Sequence, residues 1–317
     1  MREKIEMSDF KRALIKSFYD LKSVIRNIVH LPKYISRIKK ILINSNNIPE
    51  EHFLSIVVTI KNEAMYIKEW LDYHIIIGVD HFYIYDNGSM DNLLEVLEPY
   101  IHKGIVTYIE WKGVNQQLAI YEHALNNCQK STTWMAILDA DEFIVSVTNH
   151  SIIEFLKDLD KDVAQVMLGW MVFGSSGKRR YEKGLVLDRF RLHALDSWMA
   201  DSKPIVKPSR FLNVATPHWV DVFGKTVNEN NERLVGYPRI DISSALPMPK
   251  FKFRINHYYS KSWEEFESKR NRGFADCNGI GRARKNSDFE EHDQNMVSDN
   301  LVDNIVRKLK LGNDLIK

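Results

Sequence analysis

The sequence predicts an α/β protein with a mostly parallel sheet and helices on both faces. Strand and helix signals alternate in regular order from residue 54 to residue 143, the first strand is a continuous β-branched run, and two helices stop at glycines. Such alternation means βαβ units, because a parallel neighbour is reached only through a crossover. "LSIVVTI" (54–60) is a β-branched run, the pattern of a strand covered on both sides. The next segment places Ile67, Trp70, Leu71, His74 and Ile75 on one helical stripe and ends at Gly78. "HFYIYDN" is the second strand, "NGSMD" a turn, and "MDNLLEVLEPYIHKG" a helix ending at Gly104. "IVTYIEW" is a third strand, residues 115–129 a third helix, and "WMAILDADEF" (134–143) a fourth strand.

The second half is less regular. "DVAQVMLGWMVF" and "LVLDRFRLH" predict strands, with the loop "GSSGK" (174–178) between them. "SWEEFESKRNRG" predicts a helix with Ser262 as N-cap, Glu265 as its capping-box partner and Gly273 as terminator. Residues 294–317 predict a short amphipathic helix through Met296, Leu301, Ile305 and Leu309. There is no internal repeat and no low-complexity segment.

The 317 residues are 44% hydrophobic and 27% charged, an ordinary globular balance with length enough for a large core. Cys128 and Cys277 show neither CxxC spacing nor a His cluster, which argues against a zinc site or disulfide framework and for a reducing compartment. The first thirty residues are charged throughout, unlike a secretory leader, and no apolar run approaches the roughly 20 residues of a membrane span. A cytoplasmic location is expected. The net charge of +2 hides a basic segment, since residues 11–43 hold nine Lys or Arg against Asp20. There Leu14, Phe18, Leu21, Ile25 and Ile28 form one helical stripe; Pro32 interrupts it, and Tyr34, Ile35, Ile38 and Ile41 begin another. Attachment to an anionic membrane surface and packing on the protein's own domain both fit this pattern. Nucleic acid is not expected as a partner, because no aromatic-interleaved basic stretch occurs.

Ligands of open α/β sheets bind beyond the carboxyl ends of the strands. Three such ends carry short polar or acidic groups here: "KNE", "DNGSMD" and "DADE". On an extended chain Asp139 and Asp141 project to one side while Glu142 faces the other. Two carboxylates so close repel unless a cation sits by them, and hard oxygen ligands suit Mg²⁺ or Mn²⁺ shared with a diphosphate. A capping Asp in a solvated turn would read the same way.

"TIKNEAMYIKEWLDYHIIIGVDHFYIYDNGSMD", "QQLAIYEHAL" and "WMAILDADEFI" together resemble nucleotide-sugar-dependent glycosyltransferases of the GT-A (Rossmann-like) fold, in particular glycosyltransferase family 92 and related family 2 sequences. "WMVFGSSG" from Trp170, "KPIVKP" (203–208) and "NHYYSKSWEEFESKRNRG" (256–273) extend the likeness over residues 54 to about 276. It implies a domain over 51–276, flanked by a basic helical segment (1–50) and a helical tail (277–317). It also implies a UDP-sugar donor, a divalent cation, and inverting transfer to a hydroxyl of a cell-surface glycan or lipid-linked acceptor. On that resemblance Lys61, Glu63 and Asp86 line the nucleoside pocket and Gln117 lies near the donor. Asp139 meets the ribose or a metal-bound water, Asp141 holds the metal and His257 completes its shell. Lys203, Lys269 and Arg272 balance the charge of UDP. Asp221 is the expected general base, with Asp201 and Glu142 as alternatives. Trp170, Trp198 and Trp219 are candidates for stacking on the acceptor, or core tryptophans. Each residue type has a plainer use as well: Glu63 as a helix N-terminal acid, Asp86 as an Asx-turn residue, His257 as a packed core histidine.

Two other functions fit the same sheet. A nucleotidyltransferase would need a Gly- and Arg-rich phosphate loop after the first strand, which "TIKNEAM" lacks. A binding protein that has lost turnover would keep every feature above.

Overall fold

The computed structural model describes residues 28–43, 51–195, 201–234, 252–272 and 284–311. In chain order the N-terminal elements are α1 (Leu31–Ile43), β1 (His52–Ile60), α2 (Ala64–Ile76), β2 (His81–Asp86), α3 (Leu93–His102), β3 (Val106–Glu110), α4 (Gln117–Asn127), β4 (Thr132–Ile137), β5 (Glu142–Ser146) and α5 (Ile152–Lys157). There follow β6 (Val163–Val172), α6 (Val186–Arg189), β7 (Leu192–His193), β8 (Ser202–Val206), β9 (Phe211–Thr216), β10 (Trp219–Val222), β11 (Lys225–Asn228) and β12 (Arg233–Leu234). The last are β13 (Phe253–His257), α7 (Trp263–Arg272), α8 (Asn286–His292), β14 (Val297–Ser298) and α9 (Asp303–Lys310).

β1 shows why its sequence is mostly apolar on both faces. Leu54, Ile56, Val58 and Ile60 pack with Ile67, Trp70 and Leu71 of α2 and Leu93 and Leu97 of α3. Val57, on the opposite face, packs with Ile120, Tyr121 and Leu125 of α4. Both faces are covered, as a parallel strand requires. The strand order β3-β2-β1-β4 is parallel throughout, and β8 then enters antiparallel between β4 and β6. β13 pairs parallel with β6 and antiparallel with β5, opposing His257 to Glu142. α2 ties this second part to the first: Trp70 Nε1 donates to Glu142 O at 2.8 Å, and Tyr73 OH to Ile144 O at 2.9 Å. The expected α/β architecture is therefore observed.

Three local expectations change. The strand predicted over 134–143 is two strands, because the chain turns at Ala140–Asp141. "LVLDRFRLH" is mostly a short helix, α6, whose first N–H groups at Val186 and Leu187 donate to the Glu69 carboxylate at 2.7 and 3.0 Å. A side chain 117 residues away thus supplies the N-cap that local β propensity does not foresee. Of the helix predicted over 294–317, the described residues form α9, which packs Ile305, Val306 and Leu309 against the core, while Met296 and Leu301 precede it; residues 312–317 lie outside the described residues. The Ser262–Glu265 capping box is present, with Ser262 N–H to Glu265 Oε2 at 3.2 Å and Glu265 N–H to Ser262 Oγ at 3.3 Å. Its expected terminator, Gly273, lies outside the described residues.

The described part of the basic segment packs on the domain. On α1, Lys33 Nζ donates to Glu122 Oε1 at 2.7 Å and to Asn213 Oδ1 at 3.0 Å, and Arg37 lies 4.2 Å over the Phe211 ring. Leu14, Phe18, Leu21 and Ile25 lie outside the described residues. At the other end of the chain β14 pairs with β7, and Phe289, Val302 and Val306 are buried. No described helix is long and apolar enough to cross a membrane.

Candidate active site at the carboxyl ends of the strands

The loops after β1 and β2 are stapled to each other. Asn62, held at φ 54°, donates its N–H to Ser89 Oγ at 2.9 Å, and its Oδ1 accepts from Met90 N–H at 2.7 Å. Asp91 Oδ2 accepts from Ala64 N–H at 2.9 Å, in the first turn of α2, where backbone donors lack helical partners. These bonds account for several of the short polar residues after both strands. Asp86 is spent in the same way: Oδ1 accepts from Ser89 N–H and Oγ–H at 2.8 and 2.7 Å, and Oδ2 from Tyr108 OH at 2.7 Å. Asp86 is thus tied to its own loop and to β3, and its neighbour Asn87 lines the cavity at this end of the sheet.

A cavity of about 300 Å³ opens at this end of the sheet, lined by Asp139 and Asp141. Lys61, Glu63, Asn87 and Gln117 line it from the N-terminal elements; Trp170, His218, His257, Tyr259, Lys269 and Arg284 line it from the C-terminal ones. The acidic residues sit in a turn in which Glu142 N–H donates to Asp139 O at 3.1 Å, and Asp139 N–H donates back to Glu142 Oε2 at 2.9 Å. Glu142 is fully buried, and burial, reinforced by the charges of Asp139 and Asp141, holds its carboxyl well above the usual range despite Lys203. It serves the turn from inside and does not face the cavity.

The two aspartates point to different cations. Antiparallel insertion of β8 brings its first residues to the end of β4, so the buried Lys203 ammonium donates to Asp139 Oδ2 at 2.8 Å and lies 3.5 Å from Glu142 Oε2. Burial would raise the Asp139 carboxyl, but Lys203 outweighs it and the net shift is downward. Gln117 Nε2 reaches the other oxygen of Asp139 at 3.5 Å. Lys203 stands behind Asp139 and is not itself a wall residue. Asp141 pairs with Lys269, and its Oδ1 lies 3.6 Å from His257 Nε2. Opposing its burial, Lys269, His257 and Lys261 hold the Asp141 carboxyl far below the usual range. Burial pushes the His257 imidazole down to about 3, so the ring is neutral. Among the described residues no group of three or more His, Cys, Asp or Glu side chains gathers to hold a metal.

The expected general base is not at the cavity. Asp221 Oδ2 accepts from Tyr34 OH at 2.7 Å and Asn213 Nδ2 at 3.4 Å, and Oδ1 from Trp219 Nε1 at 3.2 Å. It anchors α1 to the β9–β10 hairpin, and Trp219 is a buried core residue. Asp201 accepts from Ser202 N–H at 2.8 Å and lies 3.6 Å from His218 Nδ1, beside the cavity but not on its wall. Trp198 and the side chain of Arg272 lie outside the described residues. His218, Tyr259, Arg284 and Asn87 are wall residues that sequence reasoning did not select. Only His218 carried a usable signal, a histidine after proline in "TPHWV" between two strand-like runs.

Comparison with known proteins follows the same residues. A glycosyltransferase family 92 protein of Oryza sativa subsp. japonica is 24% identical over 221 residues, covering 69% of this chain and 35% of that protein. One from Ricinus communis is 28% identical over 227 residues, covering 69% of this chain and 37% of that protein. The chain thus spans about a third of the length of these curated relatives. Among solved structures, S. aureus TarS 1–349 aligns with a TM-score of 0.35 at 17% identity, covering 50% of this chain and 47% of that one, a likeness too partial to inform the site. The sequence profile described as glycosyltransferase family 92 matches residues 55–276, and by that match the chain belongs to glycosyltransferase family 92.

Proposed function

We propose that this protein transfers a sugar from a UDP-sugar to a hydroxyl of a cell-surface glycan or lipid-linked acceptor, with inversion at the anomeric carbon. The observation that carries this reading is the cavity beyond the strand ends, where Asp139 and Asp141 meet cationic side chains from the opposite half of the chain. Lys61, Glu63, Asn87 and Gln117 would receive the nucleoside, and Lys269 and Arg284 are placed to bind its diphosphate. A divalent cation fits one pair of residues. Asp141 Oδ1 and His257 Nε2 face each other at 3.6 Å, the imidazole is neutral, and its Nδ1 has no hydrogen-bond partner among the described residues. These oxygen and imidazole donors suit Mn²⁺, which when bound would neutralise charge on the diphosphate. Asp139, turned onto Lys203, supports the site electrostatically in place of the ligand role expected of it.

A second reading has its own observation: both aspartates already carry a lysine partner, as in a nucleotide- or glycan-binding protein without turnover. Titration calorimetry with UDP and MnCl₂, with release of UDP from a panel of UDP-hexoses, decides between them. The enzyme reading expects UDP binding that Mn²⁺ strengthens, and turnover that Asp141→Asn lowers by about 10³-fold while folding is kept. UDP binding without turnover supports the second reading, and no UDP binding removes the first. Peripheral attachment to an anionic cytoplasmic membrane face through residues 11–43 belongs to the same proposal. On α1, Leu31, Ile35, Leu42 and Ile43 are exposed while Tyr34 is buried against the domain. Sedimentation with phosphatidylserine vesicles, absent with phosphatidylcholine vesicles, is the expected result.

A further inference from the structure

The mechanism still lacks a group to take the proton of the acceptor hydroxyl. Glu142 is sealed beneath the acidic turn, and Asp221 is held by Tyr34, Asn213 and Trp219. Asp139 and Asp141 are each engaged by a lysine. His257 faces Asp141. His218 remains. It stands after Pro217 in the connection between β9 and β10, half-buried, on the cavity wall contributed by the C-terminal elements.

Its tautomer is fixed by its surroundings. Nδ1 lies 3.0 Å from Ser202 O, a carbonyl that can only accept, and 3.6 Å from the Asp201 carboxylate. Nδ1 therefore carries the proton and Nε2 the lone pair. No described side chain or backbone group hydrogen-bonds Nε2, and 21% of the side chain is open to solvent. Beside it the half-buried Trp170 presents its ring, 5.1 Å from the His218 ring and 4.2 Å from the His257 ring. The part of the Trp170 ring that lines the cavity suits the apolar face of a sugar ring.

Building on the glycosyl-transfer reading above, we propose that His218 is the catalytic base and Trp170 the platform on which the acceptor sugar stacks. The acceptor O–H bond breaks with its proton passing to Nε2, as the oxygen bonds to the anomeric carbon. The bond from that carbon to the diphosphate oxygen breaks on the opposite face, and its electron pair leaves with UDP. The imidazolium so formed faces Asp201 and Asp139, which favour it, and Lys203, which opposes it, and it returns its proton to solvent. Burial first, then Lys203, hold the resting imidazole below its usual value, so the ring is neutral and ready at pH 7.5.

The test uses His218→Asn, whose amide can still donate to Ser202 O. With the UDP-hexose that the wild type turns over fastest and p-nitrophenyl glycosides as acceptors, kcat should fall about 10²- to 10³-fold. Donor KM and calorimetric UDP affinity should hold, and the acid limb of the wild-type pH profile, lying below pH 6.5, should vanish. Unchanged kcat, or a parallel loss of UDP affinity, overturns the assignment. Long-range ¹H–¹⁵N spectra of the wild type give a readout independent of turnover or of the variant's folding. A neutral ring protonated on Nδ1 at pH 7.5 is expected; an Nε2–H ring or an imidazolium refutes the base. A wild type that binds no UDP refutes the glycosyl-transfer reading itself, a result distinct from any of these.

Discussion

The two halves of the sheet bring opposite charges to one cavity. The four parallel strands of residues 51–146 end in Asp139 and Asp141, with Glu63 beside them, all placed by strand ends only a few residues long. Residues 163–311 supply His218, His257, Lys269 and Arg284 to its wall from a hairpin, the end of β13, a helix and the segment before α8, and place Lys203, at the start of β8, behind Asp139. The acids are products of local chain geometry, while the bases arrive through long-range pairing. The difference teaches that the first half could form its loops alone, whereas its carboxylates become tolerable only after the second half docks. Two acidic side chains buried without cations would cost several kcal/mol.

The largest effect expected from breaking this division is at Lys203. It is buried, with Asp139 and Glu142 on its ammonium and Trp170 5.8 Å from it. Lys203→Met keeps the volume and removes the charge, leaving Asp139 without its ion pair. Urea unfolding should show a loss of about 3 kcal/mol, the low end for removing one partner of a buried pair, because 34% of the Asp139 side chain is open to solvent. A loss below 1 kcal/mol would mean that the acids of the first half stand without the second.

The same division explains what could be read from the sequence. Period and punctuation gave β1 to β3, the helices between them and the capping box at Ser262, because those signals lie within a few residues of their effect. The "DADE" motif was legible as a site but not as a turn, since the Glu142 carboxylate that caps Asp139 N–H had been assigned only by alternation. At Asp86 the sequence shows the side chain but not its partners: Ser89 donates from the same loop and Tyr108 from the adjacent strand β3. α6 depends on Glu69 and His218 on β8, and neither partner is near in sequence. Asp221 offers a carboxylate in the second half of the chain, but its place is set by α1.

Glu69 sharpens the comparison from the first half's side. Burial pushes its carboxyl up to about 7, against the pull of the Leu187 and Val186 N–H groups and of Arg189 and Lys261. In the unfolded chain it ionises near 4.5, so between pH 4.5 and 7 the unfolded state binds fewer protons and stability falls as pH rises. The shift corresponds to about 3 kcal/mol across that window, and Glu69→Gln should flatten it. Asp141 has the opposite sign: its depressed carboxyl contributes stability above the ordinary Asp value, lost as pH falls below it. Chemical unfolding measured from pH 3 to pH 8 resolves the two, and a wild type that gains stability from pH 4.5 to 7 through Glu69 would reverse the assignment.

The smallest effect concerns α1, which touches the second half without entering the cavity. Tyr34 is 7% exposed and its hydroxyl donates to Asp221 at 2.7 Å; Asn213 and Trp219 share the same carboxylate. Because those two donors remain, Tyr34→Phe should cost about 1–2 kcal/mol, at the low end for a hydrogen bond to a charged acceptor or just below it. Lys33 and Arg37 still hold α1 through Glu122, so the helix should stay docked and UDP-hexose turnover should stay at the wild-type level. If turnover instead falls with the hydroxyl, the hairpin that α1 braces is also setting the position of His218, and the boundary between scaffold and site must be drawn around α1 as well.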